Sequence, residues 1–420
     1  MMSRIVLTAH GSLGDLYPLI GLAIELRDRG HEIIFATVKD YRSRIEAIGF
    51  EYRPMRPDHV RMDDEKMLEL MMDLRKGPER VFRDYYLPSI RDMYSDLTAA
   101  AEGADLIVAG ELIYAARIVS EVMQIPWVLC VLAPLSFFSI YDPLVLPAYE
   151  GLDKLRIFGT GANRAVINFA KFISRNWGEP LHQLRRELGL QPIKHPFVGQ
   201  DKYSTELNLA LFSSVLGAPQ PDWNSKMLQT GFVFFDGQAE LNPKLEQFLA
   251  AGEAPIVFTL GSAAVHTAGN FYQQSLEAVR QLNRRAVFLI GKNPPPENLP
   301  ETVIAIDYVP FSQIFPRASA IVHQGGVGTT GQALRAGKPT IVVPYSHDQP
   351  DNALRVERLG TSRTIKRDRY SVSKVVEALT DLNNPKYAIK AAEVGEIVRS
   401  EDGVKVACDA IESQLAAISL

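Results

Sequence analysis

Short apolar runs alternate along the chain with longer stretches in which apolar side chains recur every three or four positions. The first half opens on an apolar run at Arg4–Ala9, passes into a helical period over Tyr17–Arg29 and returns to a run at Glu32–Thr37. Asp105–Ala109, Ala115–Met123 and Trp127–Leu132 repeat the sequence run, helix, run, and Leu207–Phe212 reads as the last strand of this half. A second alternation begins at Ile256–Leu260. It continues with a helix over Asn270–Leu282 and strands at Ala286–Ile290, Val303–Ile306, Ala318–Val322 and Pro339–Pro344. Runs that are apolar at every position belong to strands covered on both faces, and their alternation with helices implies parallel sheets. The turn-formers of Leu216–Trp223 (LGAPQPDW) mark a linker between the halves. The expected fold is therefore α/β, with two Rossmann-like domains facing an interdomain cleft and ligands at the C-terminal ends of the strands.

Composition changes this picture little. The 420 residues are 46% hydrophobic and 22% charged with a net charge of −4, enough for two sizeable cores. That balance gives no electrostatic case for nucleic acid as a partner. Cys130 and Cys408 form no motif, and the start MMSRIVLTAHG runs straight into a strand pattern instead of a signal-peptide layout. The apolar stretch Ile125–Ile140 is interrupted by Pro126 and Pro134 and falls short of a bilayer span. A cytoplasmic protein is expected. Between Leu152 and Leu190 the alternation gives way to helix-like sequence with Lys154, Arg156, Arg164, Lys171, Arg175, Arg185 and Arg186 against Asp153, Glu179 and Glu187. This stretch reads as a helical wall of an acceptor pocket with a solvated basic face, or as a helix in peripheral contact with a membrane.

The densest chemistry lies in IVHQGGVGTT, Ile321–Thr330. The strand Ala318–Val322 breaks at Gly325, Gly326 and Gly328, and a helix is expected from about Thr329 to Ala336. Glycines admit a phosphate to the backbone, and the helix start supplies free N–H groups and a partial positive charge. His323 can add a hydrogen bond. The strand Pro339–Pro344 then delivers Asp348 and Gln349, a carboxylate and an amide suited to sugar hydroxyls. Such an order describes a nucleotide-sugar site. Near the N-terminus, Asp15 and His10 flank the loop after the first strand, and Glu111 follows the run Leu106–Ala109. Either Asp15 or His10 could act as a general base, while Asp15 could instead cap the helix behind it.

Together with GSLGDLYP at Gly11–Pro18, the glycine loop and the Asp348-Gln349 pair resemble the GT-B glycosyltransferases of family 1 over essentially the whole chain. TGFVFFDG (Thr230–Gly237), VFTLGSAAVH (Val257–His266) and HDQPDNA (His347–Ala353) are most similar to rhamnosyltransferases of the bacterial rhamnolipid pathway. The resemblance implies an acceptor domain over residues 1–220, a donor domain over residues 221–395, and a last helix, 396–420, packing back on the first domain. It implies that Gly14, Gly261, Ser262, His323, Gly328 and Thr329 lie at the donor diphosphate. Tyr308 and Val309 would pack on and read the nucleobase, and Gln332 would reach the ribose. Asp348 and Gln349 would hold the sugar, Asp15 would be the base, and Glu111 its supporting acid. Gln332 stands where relatives often have Glu, which opens the choice between UDP- and dTDP-sugar donors.

The implied reaction is inverting transfer of a hexose, glucose or rhamnose type, to a hydroxyl of a small lipophilic acceptor. Lipids, polyketides and aromatics all fit the apolar residues Met67–Met72, Pro134–Phe138 (PLSFF), Ile140-Tyr141 and Pro143–Tyr149. No cofactor and no metal is expected, because Asp63-Asp64 falls in a charged, helix-like stretch and no zinc spacing occurs. A sugar-nucleotide epimerase on the same fold and a non-catalytic nucleotide-sugar-binding subunit are the alternatives. A nicotinamide-dependent dehydrogenase is disfavoured, since Gly11 and Gly14 lack the G-x-G-x-x-G spacing.

Overall fold

The computed structural model describes residues 2–58, 64–145, 151–237 and 241–418. Asp63 and residues 146–149 of the apolar Pro143–Tyr149 stretch lie outside them. The chain divides into two units, the first made of residues 1–64, 76–234 and 402–420, the second of residues 65–75 and 235–401. The division thus falls at Phe234–Phe235, beyond the turn-rich Leu216–Trp223, because that turn still leads into one more strand of the first unit.

The first unit is built on a parallel sheet of order β3-β2-β1-β4-β5-β6-β7. Its strands are β1 (Arg4–Thr8), β2 (Glu32–Thr37), β3 (Glu51–Pro54), β4 (Leu106–Gly110), β5 (Trp127–Val131), β6 (Leu207–Ala210) and β7 (Met227–Gln229). β1 lies between β2 and β4, with Ile5 opposite both Ile33 and Leu106. Ile5, Val6 and Leu7 are fully buried, as are Ile107 and Val108, each worth about 1.5–3 kcal/mol of apolar burial. The helix Leu13–Asp28 starts after Ser12, whose side chain accepts from Gly14 N. It starts earlier than the expected Tyr17, since Pro18, which cannot donate to the carbonyl four residues back, is tolerated inside it. The helix Gly403–Ile418 packs on it, with Ala407, Cys408 and Ile411 fully buried. Arg29 donates to both Asp409 and Glu412 at 2.7 Å.

The second unit carries a parallel sheet of order β10-β9-β8-β11-β12-β13. These strands are β8 (Ile256–Thr259), β9 (Ala286–Leu289), β10 (Val303–Ile306), β11 (Ala320–His323), β12 (Thr340–Val342) and β13 (Ser362–Thr364). Residues 65–75 join this unit although their neighbours in sequence belong to the other. Met72 is buried in its core beside Val265 and Tyr345, and Ser346 Oγ donates to the Asp73 carbonyl at 3.0 Å. The neighbouring His347 bonds the Met71 backbone. Met67–Met72, read from sequence as acceptor-pocket surface, therefore includes a core residue of the second unit.

Candidate functional site

In the first unit the site grows from the end of β1. Gly11, with φ of 112°, makes the turn, and a Cβ there would lie 2.5 Å from Asp15 Oδ2. Asp15 is the third residue of the helix, and its Oδ2 accepts from Ser12 N at 2.8 Å and Ser12 Oγ at 3.0 Å. This is a reciprocal capping box, so the capping role read from sequence is realised through one carboxylate oxygen. Burial pushes the carboxyl up to about 6, against the Ser12 hydrogen bonds, and the negative charge of Glu111 pushes the same way. Gly14 donates its N–H to Ser12 Oγ at 3.2 Å and so belongs to this cap.

His10 is buried and bonded at both ring nitrogens. Nε2 lies 2.7 Å from the Pro57 carbonyl, which can only accept, and Nδ1 lies 2.9 Å from the Tyr86 hydroxyl. In this arrangement Nε2 carries the proton and Nδ1 takes the hydroxyl's. Tyr86 sits on a π-helical turn, Val81–Tyr86, a geometry often found at functional sites. That turn also presents Phe82, in ring contact with Tyr114, Trp177 and Phe197. Glu111 is tied to other groups than the base. Its Oε2 accepts from Ser136 Oγ at 2.8 Å and its Oε1 pairs with Lys202 Nζ at 3.3 Å. Burial lowers the Lys202 ammonium pKa, and Glu111 partly restores it. Sequence reading passes over Lys202, which is distant in sequence from its partner; Ser12 it could have found, from the S-x-x-D capping pattern.

In the second unit the glycine loop follows β11. The helix Val327–Ala336 starts two residues earlier than expected, with Gly326 as its N-cap, so Gly328 is an exposed residue of its first turn. Gly325 has φ of 90° and faces Val342 so closely that a Cβ would come within 2.7 Å of it. His323 Nδ1 accepts from Gly325 N at 3.1 Å, and burial lowers the ring pKa to about 3. A neutral ring that accepts at Nδ1 carries its proton on Nε2, which makes that nitrogen a donor.

Between the two glycine-containing loops lies Gln324, which sequence reading did not single out. A Cβ at Gly261 would stand 2.2 Å from its Nε2, and one at Gly326 would stand 2.8 Å from it. Gln324 donates weakly to Thr329 Oγ1 at 3.3 Å, and its buried Oε1 has no partner among the described residues. Ser262 is in the short helix Gly261–Ala264 beside it. Asp348 Oδ2 accepts from Val327 N at 3.1 Å and from Asn352 Nδ2 at 2.7 Å, and Asn352 also donates to the Gly325 carbonyl at 2.9 Å. Gln349 Oε1 accepts from the N–H groups of Tyr345 and Ser346. Asp348 of the expected sugar-holding pair thus also clamps the glycine loop, while Gln349 closes its own turn.

Elsewhere on the unit, Val309 is buried in the core while Tyr308 is exposed and donates to the Asp236 carbonyl at 2.7 Å. Gln332 Nε2 stands 3.5 Å from Asp236 Oδ2, at the outer limit for a hydrogen bond, and the same oxygen accepts from Ser312 N at 2.7 Å. Structure therefore joins Gly261, Ser262, His323, Gly325, Gly326, Thr329, Asp348 and Gln349 in one cluster. Tyr308 and Gln332 meet at Asp236. Among the described residues no group of three or more His, Cys, Asp or Glu side chains could hold a metal ion.

Comparison with known proteins gives the same architecture a lineage. Residues 5–137 match the glycosyltransferase family 28 N-terminal domain, and residues 274–406 match the erythromycin biosynthesis protein CIII-like C-terminal domain. The chain is 31% identical to O-mycaminosyltylonolide 6-deoxyallosyltransferase of Streptomyces fradiae, over 97% of each. It is 30% identical to glycosyltransferase GtfE of Amycolatopsis orientalis, over 97% of this chain and 96% of that one. The solved structure of glycosyltransferase VinC with dTDP superposes with a TM-score of 0.67 at 21% identity, over 98% of this chain and 99% of that one. Similarity of that degree carries the fold, while the two closer sequences carry the activity class. The chain belongs to the GT-B glycosyltransferases with family 28-type and erythromycin CIII-like domains, and it is a glycosyltransferase.

Proposed function

We propose that the enzyme transfers a hexose from a UDP- or dTDP-sugar to a hydroxyl of a small lipophilic acceptor, with inversion and without a metal. The observation that carries this reading is the cradle around Gln324. It offers a neutral His323 with Nε2 as donor, a backbone free of Cβ atoms at Gly261, Gly325 and Gly326, and a helix N-terminus. These groups suit the charge that grows on a departing diphosphate. Gln349, whose oxygen is held by the Tyr345–Ser346 turn, has its NH2 group for a sugar hydroxyl. Asp15 is the base: Oδ2 is fixed by Ser12, and Oδ1 takes the acceptor proton. A carboxylate is a weak base for an alcohol, so the proton moves late, together with cleavage of the anomeric bond. His10, bonded at both nitrogens, is the poorer candidate.

Named relatives favour a deoxyhexose and a secondary-metabolite acceptor; the rhamnolipid-type likeness favours rhamnose and a lipid. Thermal shift with a panel of UDP- and dTDP-sugars identifies the donor, since a ligand binding only the folded state raises the melting temperature. Turnover of that donor with hydroxylated acceptors, and the anomeric configuration of the product, then test the reaction. A retained configuration, or no response to any nucleotide sugar, would overturn the reading.

A further inference from the structure

From Lys154 to Gly178 the chain carries five cations and no acid, although the whole protein has a net charge of −4. The helix Thr160–Ser174 occupies most of this stretch. It buries Asn163, Ile167, Ala170 and Ser174, a stripe recurring every three or four residues. Asn163 anchors that stripe by donating to the Ile140 carbonyl at 2.7 Å.

Its outer face is unusual for a solvated helix. Phe172 is 59% exposed and Phe169 39%, and just before the helix Ile157 and Phe158 are 77% and 71% exposed. Each residue turns the helix by about 100°, which puts Arg164, Lys171 and Arg175 within one narrow sector, Phe172 about 60° beyond it and Phe169 about 120° beyond it, both away from the buried stripe. Arg175 lies over the Phe172 ring at 4.3 Å. An exposed apolar face bordered on one side by cations, with no acid, suits a helix lying flat in the headgroup region. Rings enter the acyl boundary, and the long cationic stems reach back to lipid phosphates. A solvated face gains nothing from four large exposed apolar side chains, and a protein partner does not require an acid-free stretch. No helix among the described residues is long and apolar enough to cross a membrane, so such contact would be peripheral.

We infer that the Ile157–Arg175 face of the first unit docks on an anionic lipid bilayer surface. The probe is co-sedimentation of the full chain with vesicles of phosphatidylcholine alone and of phosphatidylcholine with one-third phosphatidylglycerol. Binding is expected to the anionic vesicles, weakening as salt rises. Each cation near such a surface is worth about 1 kcal/mol, so the Lys171→Gln, Arg175→Gln double variant should lower the partition coefficient roughly thirty-fold. Phe169→Ser with Phe172→Ser should abolish binding while the melting temperature stays close to that of the parent, which separates lost docking from lost folding. Absence of binding to anionic vesicles, or binding that both double variants retain, overturns the inference. So does concentration-dependent self-association that the phenylalanine variant removes, since the face would then belong to a second copy of the chain.

Discussion

Asp15 is the residue on which chemistry and stability pull in opposite directions. Its pKa is raised to about 6 by burial, so the folded protein favours the protonated form. The resulting stability is full below the ordinary carboxylate pKa and is lost as pH rises through about 6. A base must be ionised, so activity runs the other way: kcat/KM should fall as pH drops through about 6. Asp15→Asn should lower kcat by about two to four orders of magnitude and leave donor affinity and the melting temperature at neutral pH unchanged or better. Near-normal turnover in that variant, with a folded but dead His10→Ala, would transfer the role to His10. Asp348 invites a second test, because it caps Val327 N while standing where the sugar is expected. Asp348→Ala should weaken the intact nucleotide sugar by about 1.5–3 kcal/mol, and free UDP or dTDP by a smaller but measurable amount, in calorimetric titrations. Unchanged affinity for both would remove it from the site. The glycine loop, His323, Asp348 and Gln349 stand out from the residue pattern, whereas Asp15 as base is what the family resemblance implies. Gln324 does not stand out, since its place depends on the missing Cβ atoms of Gly261 and Gly326, one of them far away in sequence.

At the scale of elements, the loop after β11 is the part that cannot be rebuilt with other residues. Gly325→Ala puts a left-handed backbone under a side chain, at about 1–2 kcal/mol, and presses its methyl against Val342. Urea unfolding should show at least that loss, and nucleotide affinity should fall with it; an unchanged midpoint would mean that the loop relaxes freely. Since the proposed phosphate grip consists of backbone groups and His323, turnover should persist in EDTA. Loss on chelation with recovery in Mg²⁺ or Mn²⁺ would sink the metal-free mechanism. Buried strands were legible because β1, β2, β8 and β9 each carry an unbroken apolar run, Ile5–Leu7, Ile33–Ala36, Ile256–Phe258 and Ala286–Leu289. The edge strands β3, β7 and β13 were not. Glu51–Pro54 alternates nothing and is mostly exposed, and Met227–Gln229 and Ser362–Thr364 are too short to carry a period.

For the molecule as a whole, each unit closes its core with residues remote in sequence. Gly403–Ile418 covers the helix Leu13–Asp28, and a Cβ at Gly403 would lie 2.4 Å from the Phe232 carbonyl. Ile411→Ala should cost about 2–5 kcal/mol, and removal of residues 403–420 more, seen as a lower melting temperature or loss of soluble protein. A truncated chain melting with the parent would show that helix to be dispensable. Sequence reading placed the second unit's strands except β13 but assigned Met67–Met72 to the acceptor side, because a detour of eleven residues leaves no compositional mark. That detour has a consequence for synthesis on the ribosome. The first unit emerges early but keeps an open apolar face on Leu13–Asp28 until Gly403–Ile418 is made. The second unit needs Met72, which has left the exit tunnel long before Val265 or Tyr345. Residues 235–401 expressed alone would therefore lack one of their own core side chains, and the first unit cannot close its core before Gly403–Ile418 has been translated.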